Sequence, residues 1–189
     1  MAKVRDPRYA QVMSQPIIRP AEAADISAVT AIYAHAVSHG TATFEIDPPS
    51  EREMAHRFRL LAEAGLPYLV AERDGEVRGY AYAGLYRERI AYRYTLEDSI
   101  YVAPEYHGQG IGRALIDRLL SEAAACGYRQ MVAVIGDSEQ AASIALHRAA
   151  GFRLVGTFEA VGFKFGRWLD TVLMQRPLGP SAATPEQVF

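Results

Sequence analysis

The sequence predicts an α/β fold: a single domain in which one mixed central sheet of about seven strands is covered by about four helices. Three observations carry this expectation. Short apolar runs of strand character alternate with segments of helical periodicity along the chain. A turn rich in glycine, His107-Gly108-Gln109-Gly110-Ile111-Gly112, joins an apolar strand to an amphipathic helix. No internal repeat and no linker divides the chain, and 189 residues suit one domain with a full core.

The elements follow in order. Pro16 to Pro20 holds Ile17-Ile18 and reads as a first strand. A helix follows, with Asp25 as its cap and Ile26, Val29, Ile32, Tyr33, Ala36 and Val37 at helical spacing. Thr41 to Pro49 is a loop with Phe44 and Glu45. Ser50 and Glu53 have capping-box spacing before a stripe of Met54, Phe58 and Leu61, and Gly65 and Pro67 end that helix. Tyr68 to Ala71 and Val77 to Leu85 form a hairpin about Asp74-Gly75. Tyr86 to Arg93 is a polar, aromatic connector. In Thr95 to Val102, Leu96, Ile100 and Val102 alternate with Glu97, Ser99 and Tyr101, as in a strand. Ile111, Leu115 and Leu119 mark the next helix, which Gly127 closes. Met131 to Ile135 is a buried strand, and Asp137 or Ser138 caps a helix running through Leu146 to Gly151. Phe152 to Phe158 and Asp170 to Gln175 close the sheet. Residues 1–15 are expected to be a flexible segment, 16–178 the domain, and 179–189 a disordered tail with Pro180 and Pro185.

Composition narrows the function classes. A net charge of -2 gives no basic field for nucleic acid. No stretch has the length of a membrane span. The single cysteine, Cys126, excludes an intrachain disulfide and fits a reducing, cytoplasmic setting. His35 and His39 lie four apart on a helix, but no third ligand accompanies them, so no metal site is expected.

The chemistry concentrates between Ile100 and Leu115. Glycines at 108, 110 and 112 let the backbone take conformations closed to other residues and let a ligand approach closely. The first turn of the following helix offers unpaired N–H groups and a positive dipole end, the elements of a pyrophosphate site. A tight turn that needs glycine for shape alone is the competing reading, and spacing does not separate the two. A dinucleotide fingerprint lacks its acidic residue here, since the next strand ends Val134-Ile135-Gly136, and a P-loop lacks its Gly-Lys-Ser/Thr.

Several stretches in the same order resemble the GNAT N-acetyltransferase family, more narrowly its phosphinothricin and methionine-sulfone acetyltransferase branch. They are Glu97 to Val102, Gly108 to Arg113, Val132 to Gly136, Leu146-His147, Gly151-Phe152 and Gly162 to Asp170. The resemblance covers roughly Ile17 to Leu178. It implies acetyl-CoA as co-substrate, held by Ile100, Tyr101, Val102, His107, Gly108, Gln109, Gly110, Ile111, Gly112, Arg113 and Gln140. His107 stands where the family pattern has Gln or Arg, and Glu139-Gln140 where it often has Asn, so the backbone of Gly108 to Gly112 carries the binding claim. The strands Thr95–Val102 and Met131–Ile135 are expected to splay apart.

The resemblance further implies Glu97 as the general base for a small-molecule amine; pairing with a nearby arginine is the bland alternative. His147 reads either as an acid–base imidazole or as a helix histidine bonded to a carbonyl. Asp98 faces the other way on an ideal strand and ranks lower. Phe44, Ile90, Ala91, Tyr92 and Arg93 are the expected acceptor-binding residues. The block Lys164 to Asp170 is expected at a homodimer interface. Acetylation of protein or peptide amines, and non-enzymatic acetyl-CoA binding, are the alternatives; an aromatic connector and the pair Glu97 and His147 weigh against them.

Overall fold

The computed structural model describes residues 14–183. The expectations for residues 1–13 and 184–189 lie outside the described residues. Seven strands are arranged as β1 (Ile17–Pro20), β2 (Tyr68–Arg73), β3 (Glu76–Leu85), β4 (Thr95–Val102), β5 (Gln130–Gly136), β6 (Arg153–Lys164) and β7 (Arg167–Pro177). Four α-helices are α1 (Ile26–His39), α2 (Glu51–Glu63), α3 (Ile111–Ala125) and α4 (Ala141–Ala149). The sheet order is β1-β2-β3-β4-β5-β7-β6. Only β4 and β5 pair in parallel; the other neighbours are antiparallel. The expected mixed α/β sheet is therefore present.

Strand alternation gives the sheet two buried faces. One core gathers Leu96, Met131 and Ala133 from the strands against Ile111, Leu115 and Leu119 of α3. The other gathers Val70 and Tyr80 against Val29 and Val37 of α1 and Met54 of α2. Successive residues of β4 serve opposite faces: Leu96 belongs to the first core and Tyr101 packs on the second.

Several local details differ from the sequence reading. Asp25 does not cap α1 with its side chain. Its carboxylate takes two hydrogen bonds from Arg19 at 2.7 and 2.8 Å and one from the Glu22 N–H at 2.8 Å. Ser50 does cap α2 by accepting the Glu53 N–H at 3.2 Å, but the Glu53 carboxylate accepts from Arg57 instead of reaching back. The Asp74-Gly75 turn has φ of 55° and 78°, the pair of left-handed residues a two-residue hairpin needs. Helix α4 begins at Ala141, because Asp137 and Ser138 build the turn before it: Asp137 accepts the Glu139 N–H at 3.0 Å and Ser138 Oγ donates to Asp170 at 2.6 Å. The last two strands are longer than expected and meet at Phe165-Gly166. Register breaks between Leu154 and Gly156 and between Phe158 and Gly162 interrupt the alternation that marks a strand in sequence. Among the described residues, no helix is long and apolar enough to cross a membrane.

Candidate active site

The parallel ladder of β4 and β5 runs from Thr95 with Gln130 to Asp98 with Ala133 and then stops. Ser99 to Val102 and Val134 to Gly136 continue without pairing to each other, which opens a wedge in the sheet. Backbone parity decides what lines it. Thr95 O accepts from the Tyr86 N–H, and the Ala103 N–H donates to Arg78 O, so odd-numbered positions of β4 face β3. Alternation then turns the N–H and C=O of Ile100 and Val102 into the wedge. His107 reaches back to this edge: its Nε2 donates to Val102 O at 2.9 Å, since a carbonyl can only accept.

The glycine turn sits at the mouth of the wedge. Gly108 and Gly110 have φ of 71° and 84°, and a Cβ at either would meet nothing within 4 Å. Glycine is therefore required there by backbone conformation and leaves open space above the turn. Gly110 is the residue before α3, and no side chain caps the helix, so its first N–H groups face outward. At Gly112 a Cβ would lie 3.3 Å from Leu146 Cδ2, so this glycine lets α4 approach α3.

The side chains of this segment are committed to the scaffold. Gln109 donates to Glu105 O and accepts from Arg73 Nη1. Ile111 is in the core. Arg113 pairs with Asp117 and donates to Ala149 O. Gln140 Nε2 donates to Thr41 Oγ1 at 2.9 Å, which ties it to the loop after α1.

Glu97 is half-buried and lies on the same face as Tyr82. Arg87 Nη1 stands 3.8 Å from its Oε2. Burial raises the Glu97 carboxyl above its ordinary range; Arg87 opposes the shift and Asp98 adds to it. Asp98 and His147 meet on the opposite face, with His147 Nε2 2.9 Å from Asp98 Oδ2 and Nδ1 2.8 Å from Ser143 O. The sequence leaves His147 open between an acid–base imidazole and a helix histidine bonded to a carbonyl; it does meet the Ser143 carbonyl, and its second partner, Asp98, was missed because that contact spans two elements far apart in sequence. Tyr101 packs, partly buried, against Tyr33 and Tyr80 on the α1 face, and desolvation raises its hydroxyl well above its ordinary range.

Two cavities adjoin these groups. A small one of about 50 Å³ lies in the wedge between Asp98 to Tyr101, Ala133 to Ile135, Ser143 and His147. A larger cleft of about 610 Å³ is lined by Leu85, Tyr86, Arg87, Glu88, Arg89 and Tyr92. Arg87 connects the larger cleft to Glu97. Of the connector residues expected to bind an acceptor, Tyr92 lines this cleft; Ile90, Ala91 and Arg93 do not, and Arg93 folds back to donate to Ile90 O. Tyr86, Arg87 and Arg89 are the residues the sequence reading passed over within the same connector.

Phe44 packs against Gly136 at the end of β5 and Gly162 at the register break of β6. A Cβ on Gly136 would lie 2.9 Å from its ring, and one on Gly162 2.3 Å. The loop that carries it is pinned by Lys164, whose Nζ donates to Gly40 O and Thr43 O, each at 2.9 Å. Burial lowers the Lys164 ammonium below its ordinary range, partly offset by Glu45. Tyr33 donates to Glu45 Oε1, and Arg57 donates to the same carboxylate. Among the described residues, no group of three or more His, Cys, Asp or Glu side chains is placed to hold a metal.

A strand wedge with an exposed backbone edge, a glycine turn at a helix start and a half-buried carboxylate suit an extended, phosphate-bearing ligand, and similarity to known proteins decides the family. The model of the acetyltransferase (GNAT) family matches residues 30–152. The chain belongs to the GNAT acetyltransferase family. The phosphinothricin N-acetyltransferase of Alcaligenes faecalis is 56% identical over 85% of this chain and 81% of its own. The L-methionine sulfoximine/L-methionine sulfone acetyltransferase of Salmonella typhimurium is 44% identical over 88% of this chain and 96% of its own. Among solved structures, a GNAT phosphinothricin acetyltransferase from Sinorhizobium meliloti, in complex with acetyl-CoA, superposes with a TM-score of 0.89 at 52% identity, covering 92% of this chain and 94% of that one. As a GNAT enzyme, the chain is an N-acetyltransferase.

Proposed function

We propose that this GNAT enzyme moves the acetyl group of acetyl-CoA to the amine of a small amino-acid-like acceptor of the phosphinothricin, methionine sulfone or methionine sulfoximine kind. The observation that carries this reading is the continuity of three features along β4: the wedge edge of Ile100 and Val102, the glycine turn beyond it, and Glu97 beside the cleft of Arg87. Relatives of 56% and 44% identity bear the names of enzymes for such acceptors.

The residues present fit acetyl-CoA, which supplies an activated thioester. The open N–H groups at Gly108 to Gly112 suit a pyrophosphate, and the wedge-facing backbone of Ile100 and Val102 suits the amides of a pantetheine arm. A backbone N–H from the same edge can polarise the acetyl carbonyl. Glu97 accepts the proton of the incoming amine, directly or through water. A free alkylamine has a pKa of about 10 and is mostly protonated at neutral pH, so a base is needed. Burial keeps Glu97 more basic than an exposed carboxylate, which matches it better to the task. Arg87, Arg89, Tyr86 and Tyr92 provide charge and hydrogen bonds for an acceptor carboxylate. Phe44, whose ring packs on Gly136 at the end of β5, is the proposed apolar contact for the acceptor.

The enzyme acts as a homodimer in this reading. Strand β6 is a sheet edge, and Phe158, Val161, Phe163, Phe165 and Trp168 on the β6–β7 hairpin are exposed, Trp168 by 65%. An edge strand carrying an apolar patch is a surface for a second copy. The location is cytoplasmic, where acetyl-CoA is available. The test is product analysis: incubation with acetyl-CoA and methionine sulfone should yield the N-acetylated amino acid by mass spectrometry, and recovery of unmodified acceptor with every member of the acceptor class would reject the reading.

A further inference from the structure

Arg73 ends β2 and is only 5% exposed, yet among the described residues it pairs with no carboxylate. Its Nη1 donates to Gln109 Oε1 at 2.7 Å, and its Nη2 reaches Gln109 O at 3.4 Å. Its Nε is buried with no hydrogen-bond partner. A buried guanidinium without a counter-ion is unfavourable on its own, so its retention against the glycine turn calls for a reason.

The neighbouring arginine is arranged differently. Arg78 of β3 pairs with Glu76, so its charge is neutralised. Both guanidinium groups lie by the Tyr106 ring, with the Cζ atoms of Arg73 and Arg78 at 6.0 and 4.7 Å from its centroid. The Ala103 N–H donates to Arg78 O at 2.8 Å, and Gln109 Nε2 donates to Glu105 O at 2.8 Å. The β2–β3 hairpin thus holds the segment from Ala103 to Gln109, which leads into the glycine turn.

The contact with Gln109 O has a geometric consequence. In a trans peptide the carbonyl and the next N–H point in opposite directions, and the chain has no cis bond here. Holding Gln109 O toward Arg73 therefore turns the Gly110 N–H away from the interior. Among the described residues that N–H donates to no carbonyl, and a Cβ at Gly108 or Gly110 would meet open space. An anion on the open side would meet the Gly110 N–H directly, with the Arg73 charge behind it.

We propose that Arg73 is a positioning residue for acetyl-CoA: it aims the Gly110 N–H at the cofactor's diphosphate and lends the turn a positive charge that no carboxylate cancels. This rests on the acetyl-CoA reading above. Arg73 itself makes no bond to the cofactor. It acts through the Gln109 peptide and through Coulomb attraction, which salt screens least at a buried group. Gln109 contributes its backbone to the turn, and its side chain serves as the link between Arg73 and Glu105 O.

The test compares two acetyl donors: acetyl-CoA, and S-acetylpantetheine, which has the same thioester arm and no diphosphate. With acetyl-CoA, Arg73→Met is expected to raise the donor KM about tenfold or more, while kcat and the acceptor KM stay within about twofold. Arg73→Lys keeps the charge and loses the forked contact, so its donor KM should fall between those of the wild type and Arg73→Met. With S-acetylpantetheine, Arg73→Met and the wild type should have the same donor KM. In the wild type, NMR should show the Gly110 amide resonance moving on titration with CoA and unmoved by pantetheine, a readout that stands even if neither variant folds. An unchanged acetyl-CoA KM in Arg73→Met, an equal rise with both donors, Arg73→Lys as poor as Arg73→Met, or a Gly110 amide that stays unmoved while CoA binds would overturn the proposal. A wild type that binds no CoA and releases no thiol from acetyl-CoA with any amine would instead reject the acetyl-CoA reading itself.

Discussion

Glu97 and Asp98 are consecutive in β4, yet their carboxylates serve opposite faces of the sheet: Glu97 Oε2 stands 3.8 Å from Arg87 Nη1, and Asp98 Oδ2 stands 2.9 Å from His147 Nε2. Strand alternation makes this separation. It occurs where the β4–β5 ladder ends, so both carboxylates flank the same opening.

Glu97→Gln is expected to lower kcat by a factor on the order of 10²–10⁴, with little change in the KM for acetyl-CoA. The sign of the pH effect follows from burial. Glu97 has a raised pKa, so the active carboxylate is present above that raised value and is lost as pH falls through it. Rate–pH profiles should therefore show an acidic limb above the range of an exposed glutamate, and that limb should vanish in the variant. Unchanged turnover in Glu97→Gln would remove Glu97 from the role of base.

Gly110→Ala places a side chain at φ 84° with nothing nearby to clash. The expected cost is backbone strain of about 1–2 kcal/mol, read as a lower melting temperature. The turn's N–H groups also shift, so the KM for acetyl-CoA should rise while the KM for the acceptor stays the same. A rise confined to the acceptor would argue against a pyrophosphate cradle at this turn.

Gly162→Ala would put a Cβ 2.3 Å from the Phe44 ring, which must move. Overpacking of this sort costs about 1–3 kcal/mol. If Phe44 binds the acceptor, as proposed, the acceptor KM should rise more than the acetyl-CoA KM. Equal effects on both would separate Phe44 from acceptor binding.

Lys164→Met leaves the carbonyls of Gly40 and Thr43 without their donor. Each unsatisfied buried acceptor costs about 1–3 kcal/mol. Thermal melting should fall accordingly, and hydrogen exchange should rise in the segment from Gly40 to Glu45. Unaltered exchange there would show that Lys164 does not hold the loop.

Much of this arrangement was legible in the sequence, for definite reasons. The Ile111, Leu115 and Leu119 stripe, the Asp74-Gly75 turn and the apolar run Met131 to Ile135 carry their geometry in local spacing, and each formed the expected element. The glycine turn was legible because positive φ at 108 and 110 demands glycine. Contacts across elements were not legible. Asp98 with His147, Arg87 with Glu97 and Lys164 with the Gly40–Thr43 loop join residues whose meeting depends on sheet order and register. The same holds for the length of β6 and β7, where bulges at Gly156 and Gly162 break the period that signals a strand.

The most direct measurement is thiol release from acetyl-CoA across a panel of free amino-acid analogues, their carboxamides and short peptides. Methionine sulfone, methionine sulfoximine and phosphinothricin should give the highest kcat/KM. Their carboxamides should fall about tenfold or more, as expected when a charge-assisted hydrogen bond worth about 1.5–3 kcal/mol is removed. Peptides turned over as well as the free amino acids, or no turnover of any small amine, would contradict the account.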